Sequence, residues 1–280
     1  MRPTGGLAAG ALLLALTSLP AQGAPTDARQ RLSDSRVSAA DLQKDLRAEM
    51  RFGRELAARI LARYPLVKDD ALLRYVNLVG RAVARNGGRQ ELTFHFGVLD
   101  TPTVNAFAAP GGYVFVTRGA LERMHNEAEL AGVLAHEIIH VDRKHIVREL
   151  GIHARGGSAA AGLARFLGGA GEATSMAFSQ AVDRAEKILF KSGRKQADEL
   201  EADRLGTSLL GMSGYRPTAL RDYLARIAKE KDADTADRRR THPPFPERLK
   251  AVNVVLRKEG LAHMKGRVKA KRFAERTSTL

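Results

Sequence analysis

His136, Glu137 and His140 stand in the run His136-Glu137-Ile138-Ile139-His140. An α-helix advances about 100° per residue, so the two imidazoles lie about 40° apart on one face, one turn from each other. Two rings so placed can grip one divalent ion at about 2.0–2.1 Å and leave room for another protein ligand and a water. Glu137 sits at an adjacent angle, within reach of that water but poorly aligned to be a third ligand. The chemistry this set suits is hydrolysis: the ion lowers the pKa of its water toward about 7, the carboxylate takes a proton, and a polarised carbonyl is attacked. The same carboxyl group then protonates the leaving amine. A five-residue match also arises by chance in helical, Glu-rich chains, so further ligands must decide.

His145 is nine residues after His136, about 180° around a straight helix, and shares a stripe with Leu134, Ile138 and Val141. It is expected to face the core rather than an ion. A third His six residues after His140 would mark the metzincin pattern, but Ile146 stands there. The better donor lies in Glu199-Leu200-Glu201-Ala202-Asp203-Arg204-Leu205-Gly206. Glu199, Ala202, Asp203 and Gly206 share one helical stripe, and the two small residues let this helix approach the His-bearing one closely. Glu199 then completes the ligand set, while Asp203 accepts the second ring N–H of a ligand His and fixes its tautomer. Glu201, about 160° away, does not face the same ion. The alternative for Glu199 and Asp203 is a pair of exposed helical carboxylates. A set of two His and one Glu suits zinc, so the expected cofactor is one Zn2+ per chain.

The elements that must position these groups are mostly helical. Apolar positions recur at helical spacing over 39–63 and 71–85, the second pattern stopping at Asn86-Gly87-Gly88. Segments 92–99 and 113–117 read as paired strands, the latter after Pro110-Gly111-Gly112, with His95 a strand residue without a ligand role. A helix capped by Asn126 runs through the histidine motif to about residue 150. Residues 155–173, rich in Gly and Ala, read as a loop with a marginal helix, or as a membrane-dipping hairpin too short to span. Further helices fall at about 196–211, 217–229 and 247–258, with a charged linker over 229–240. The fold class is α+β, a mainly helical protein with a small sheet beside the histidine helix.

Residues 1–23 have the features of a cleaved signal peptide: Arg2, the apolar run 7–16, and Ala21-Gln22-Gly23. A mobile segment over 24–38, a catalytic domain over 39–258 and a basic tail over 259–280 follow. Cysteine is absent, so neither N-terminal lipidation nor disulfides are expected, and the export signal points to a periplasmic protein. The formal net charge is +15, and Arg2 is the one charged residue in 1–23. Such a charge favours peripheral contact with an anionic membrane or envelope polymer. No nucleic-acid motif accompanies it.

Taken together, the histidine motif, Glu199 with Ala202-Asp203 and Gly206, Asn105-Ala106-Phe107, and Gly112-Tyr113-Val114-Phe115-Val116-Thr117-Arg118-Gly119 resemble a known family. It is the zinc metallopeptidase family typified by the CAAX prenyl protease and the heat-shock protease HtpX. The resemblance spans roughly 45–250 and is nearest to the soluble exported branch that includes the β-barrel assembly-enhancing protease. It implies a gluzincin-type fold, zinc ligands at His136, His140 and Glu199, a base at Glu137 and a supporting Asp203. It also implies that His242, in Thr241-His242-Pro243, is either a fourth, regulatory ligand or a turn His before two prolines. An extended peptide could add as a strand to the sheet edge near 113–117, a mode that suits unfolded or misassembled envelope proteins as substrates. Two competing readings are a zinc-bound chaperone or scaffold with an occluded site, and an envelope-binding protein with a vestigial one.

Overall fold

The computed structural model describes residues 39–152, 172–230 and 241–280. The signal, most of the charged linker and nearly all of the Gly/Ala-rich segment expected from the sequence lie outside the described residues. Helix α1 (Ala39–Arg63) and helix α2 (Asp70–Ala84) come first. The Asp69 side chain caps α2 by accepting the Leu72 N–H at 2.9 Å.

Three strands follow: β1 (His95–Leu99), β2 (Ala106–Ala109) and β3 (Tyr113–Thr117), in the spatial order β1-β3-β2. The expected pairing of the first and last is present and parallel, while β2 is antiparallel to β3. Two points differ from the sequence reading. The stretch Ala106–Ala109, short and alanine in three of its four positions, is itself a strand, and β3 is therefore central. An incoming strand cannot use its edge; the free edge near the motif belongs to β2. The connection between β2 and β3 needs glycine, because Gly111 and Gly112 have φ of 75° and 94°. A Cβ on Gly112 would also stand 2.8 Å from Thr93 O.

Both faces of the sheet are covered. Phe96, Val98, Ala106, Ala108, Val114 and Val116 point into one core, and the alternate residues Leu99, Phe107 and Phe115 into another, shared with α1. His95 lies exposed at the start of β1 and stacks on Tyr113 at 5.3 Å.

After the short helix α3 (Arg118–Leu121), helix α4 (Glu127–Asp142) carries the histidine motif through the centre of the first core. Asn126 caps it, accepting the Glu129 N–H at 3.1 Å. The helix does not continue to residue 150. Lys144 adopts the left-handed conformation (φ 53°), its amine 3.3 Å from buried Glu49, and the chain restarts as α5 (His145–Glu149). Helix α6 (Glu172–Lys187) and a π-turn over Ile188–Ser192 cover α1, with Arg59 bonded to Asp183 at 2.6 Å.

Helices α7 (Gln196–Met212), α8 (Ala219–Ile227) and α9 (Phe245–Lys258) complete the wall around α4. The close α4–α7 approach expected from Ala202 and Gly206 is present: a Cβ on Gly206 would lie 3.0 Å from His136 N and Cα. In the basic C-terminal segment, α10 (Ala270–Arg276) buries Phe273 and ties Arg272 to Glu127 at the foot of α4. Among the described residues, no helix is long and apolar enough to cross a membrane. The architecture is α+β, with helices around a small mixed sheet.

Candidate metal centre

Helix α4 turns His136 and His140 to one side, with their Nε2 atoms 3.1 Å apart. Helix α7 brings Glu199 across, Oε2 at 3.6 Å from His136 Nε2 and Oε1 at 3.4 Å from His140 Nε2. A tetrahedral ion with bonds of about 2.0–2.1 Å spaces its ligands about 3.3–3.4 Å apart, so the three donors have the separation such an ion requires. All three residues are buried, Glu199 completely. Glu199 Oε2 has no hydrogen-bond partner, nor has Glu137 Oε2 beside it. A buried acceptor without a donor is costly, and a cation at this point would satisfy it. The residues therefore fit a bound divalent metal ion.

The electrostatics agree. Burial opposes protonation of His136, but Asp203 and Glu199 outweigh it and raise the ring's pKa to about 9, which marks a place built for positive charge. Burial and the Arg194 guanidinium hold His140 well below the usual imidazole value. Burial alone would raise Glu199, yet His140, His242 and His136 draw it well below the ordinary carboxylate range. Glu137 goes the other way, pushed up by burial against the pull of Arg194. A raised carboxyl pKa suits a group that takes up and returns a proton.

Asp203, one turn after Glu199, accepts from His136 Nδ1 at 2.9 Å, as its stripe position predicts. The sequence reading lacked the residue behind it. Arg248 of α9, itself buried, donates Nε to Asp203 Oδ2 at 2.8 Å and Nη2 to Oδ1 at 2.6 Å. Burial would raise the Asp203 pKa, but Arg248 and His136 hold it at about 2. A signal existed: Arg248 shares the stripe of Phe245, Ala251, Val252 and Val255, and a charge on an apolar face must find a partner.

His145 is buried and outside the His136–His140–Glu199 set, as expected, but it lies on a different side from the one a straight helix would give it. The break at Lys144 swings it back, so its Nδ1 meets His140 Nδ1 at 2.7 Å instead of facing the opposite side. Its Nε2 lies 3.3 Å from Glu201 Oε2 and 3.8 Å from Asp198 Oδ1. That trio has donors close enough for an ion of its own. However, Arg143 already pairs with Glu201 at 2.7 Å and Arg148 with Asp198 at 3.6 Å, neutralising both carboxylates. As expected, Glu201 does not face the His136–His140–Glu199 set.

His242 Nε2 comes within 3.9 Å of Glu199 Oε2, while its Nδ1 is 2.9 Å from Thr241 Oγ1. With Asn105, His136, Glu137, Tyr223 and Arg248 it lines a cavity of about 50 Å³. A wider cleft of about 470 Å³, reaching Tyr64 and Phe190, shares Asn105 and His242 with that cavity. Thus the residues flagged by resemblance alone stand between the buried donors and the surface. Arg194, which no sequence pattern singled out, fills the other side: Nη1 is 3.5 Å from Glu199 Oε1 and Nη2 3.9 Å from Glu137 Oε2.

The beta-barrel assembly-enhancing protease of Escherichia coli (strain K12) is 30% identical over 223 residues, 77% of this chain and 45% of that protein. Its namesake from Yersinia pestis is 31% identical over 192 residues, 65% of this chain and 38% of that one. The mitochondrial metalloendopeptidase OMA1 of Schizosaccharomyces pombe is 29% identical over 180 residues, covering 64% and 51%. The chain spans less than half the length of the two bacterial relatives and about half that of the fungal one. The model of peptidase family M48 matches residues 71–255, so this chain belongs to that family.

Proposed function

We propose that this chain is an exported zinc-dependent endopeptidase acting on unfolded or misassembled cell-envelope proteins. The observation that carries the reading is the buried His136–His140–Glu199 set at tetrahedral ligand spacing, with the Glu137 carboxyl group beside it. When bound, zinc supplies Lewis-acid polarisation of the peptide carbonyl and a water of lowered pKa. Glu137 takes one proton of the attacking water and delivers it to the leaving amine, a cycle that its raised pKa favours. Asp203, held by Arg248, accepts the His136 Nδ1–H and keeps Nε2 free for the metal. His242 is in range to act as a regulatory fourth ligand, its Nε2 near Glu199.

A substrate would bind as a strand on the free edge of β2, through main-chain hydrogen bonds that ignore side-chain identity. That mode favours unfolded chains. The name of the bacterial relatives, which links them to β-barrel assembly, supports an envelope substrate. The signal-like residues 1–23 support a periplasmic location. Arg74, Arg267, Arg272 and Arg276 around a cleft of about 580 Å³ support peripheral contact with anionic envelope components. The test is cleavage of one protein in folded and unfolded forms, with chelator and then added zinc. Zinc-restored cleavage confined to the unfolded form is expected; equal cleavage of both forms would contradict the substrate class.

A further inference from the structure

The free edge of β2 is already occupied by two side chains. Asn105 O accepts the Thr117 N–H at 3.0 Å, which turns the peptide groups of Asn105, Phe107 and Ala109 toward β3. By the alternation of an antiparallel ladder, the N–H and C=O groups of Ala106 and Ala108 face outward. These are the groups an added strand must use. The Ala106 N–H is taken by Asn105 Oδ1 at 2.9 Å, and the Ala108 carbonyl by Arg194 Nη2 at 3.2 Å.

Arg194 is placed for more than filling an edge. It follows the π-turn Ile188–Ser192 and Gly193, whose φ of 72° and ψ of 170° turn the chain back toward the site before α7 begins. Its side chain is 6% exposed, reaches both Glu199 and Glu137, and leaves Nε without a hydrogen-bond partner. One guanidinium thus bridges the edge, the proposed base and the proposed third ligand. Any strand that pairs with Ala108 must remove this bond first, and the same movement takes a positive charge away from Glu137.

We propose that Arg194 is a latch on the substrate edge, a residue that sets substrate affinity because an incoming chain must displace it from the Ala108 carbonyl. The proposal rests on the peptidase reading for the meaning of the edge. Its energetics do not depend on turnover. A hydrogen bond from a charged donor contributes about 1.5–3 kcal/mol. Only a segment offering several successive main-chain bonds offsets that loss, which selects long extended chains over short or folded ones.

The test measures binding, not cleavage. In the full-length, zinc-loaded Glu137→Gln protein, the affinity of a fluorescent peptide from an unfolded protein is compared with and without Arg194→Met. The latch predicts binding about 10- to 100-fold tighter without the guanidinium. Arg194→Lys, which keeps a charge but not the fork, falls between. Asn105→Ala, freeing the Ala106 N–H, provides a second route to tighter binding that leaves Arg194 intact. Circular dichroism and zinc content confirm that each variant is folded and loaded. Unchanged or weaker binding in Arg194→Met overturns the proposal, whatever Asn105→Ala does. So does a fall in kcat at constant KM for Arg194→Met on a Glu137 background, which would make Arg194 part of the chemistry. If no peptide binds any variant, the edge is not the substrate site and the latch fails with it. Zinc-dependent cleavage by the wild type would still stand as a separate result.

Discussion

His140 Nδ1 lies 2.7 Å from His145 Nδ1, and the opposite nitrogen of His145 faces Glu201 at 3.3 Å. With His140 Nε2 turned to the proposed metal position, its proton resides on Nδ1 and is donated to His145. His145 must then carry its own proton on Nε2, where Glu201 accepts it. One imidazole thus orients another, and a carboxylate fixes the pair. His145→Phe is expected to weaken metal retention by about 10–100-fold. Chelator competition on the variant measures this, and wild-type retention would refute the arrangement.

The α4–α7 approach sets the position of Glu199. A Cβ at Gly206 would come within 3.0 Å of His136 backbone atoms, so Gly206→Val must push the helices apart. Overpacking of this kind costs about 1–3 kcal/mol. Metal affinity should fall together with thermal stability, whereas Gly260→Ala, at a position with nothing within 4 Å, should spare metal binding. Titration of zinc into the metal-free variants distinguishes the two.

Arg248 and Asp203 form a buried pair in which neither group can stand alone. Arg248→Met strands the carboxylate and should cost about 3–5 kcal/mol of unfolding free energy. Adding Asp203→Asn to that variant should recover part of the loss, because no uncompensated charge remains. Urea unfolding of the metal-free proteins gives both values. A double variant no more stable than Arg248→Met would argue against the pairing.

The base of α4 supplies a pH test. Burial would raise the Glu127 pKa, but hydrogen bonds from Arg272, Tyr215 and Tyr75 hold it below the ordinary carboxylate value. A depressed folded-state pKa gives stability that is complete above the unfolded-state value of about 4.3 and is lost as pH falls through the folded one. Glu127→Gln should therefore lose less stability than wild type on going from about pH 6 to about pH 3. Urea midpoints at the two pH values check this; parallel losses would contradict it.

Much of this was legible in the sequence, because periodicity reports what one helix does by itself. The spacing of His136 and His140 and the stripe of Glu199, Asp203 and Gly206 each depend on a single regular helix, and the structure has them where that arithmetic puts them. His145 was placed on the wrong side because the same arithmetic assumed an unbroken helix, whereas the chain breaks at left-handed Lys144, whose amine pairs with distant Glu49. The strand Ala106–Ala109 was missed because short alanine-rich segments carry little strand preference of their own; its pairing with β3 decides it. Helix α6 packs on α1 through contacts such as Phe178 with Phe52, which no local pattern announces. Arg194 lies in the short irregular connection between the π-turn and α7, where spacing carries no information about direction.

In the proposed reaction His136, His140 and Glu199 hold a zinc ion that Glu137 turns to hydrolysis. The most direct measurement is zinc content, together with cleavage of an unfolded protein, for the wild type and for Glu137→Gln. Equimolar zinc in both proteins and cleavage by the wild type alone are expected. Equal cleavage by both, or zinc in both with cleavage by neither, would contradict it.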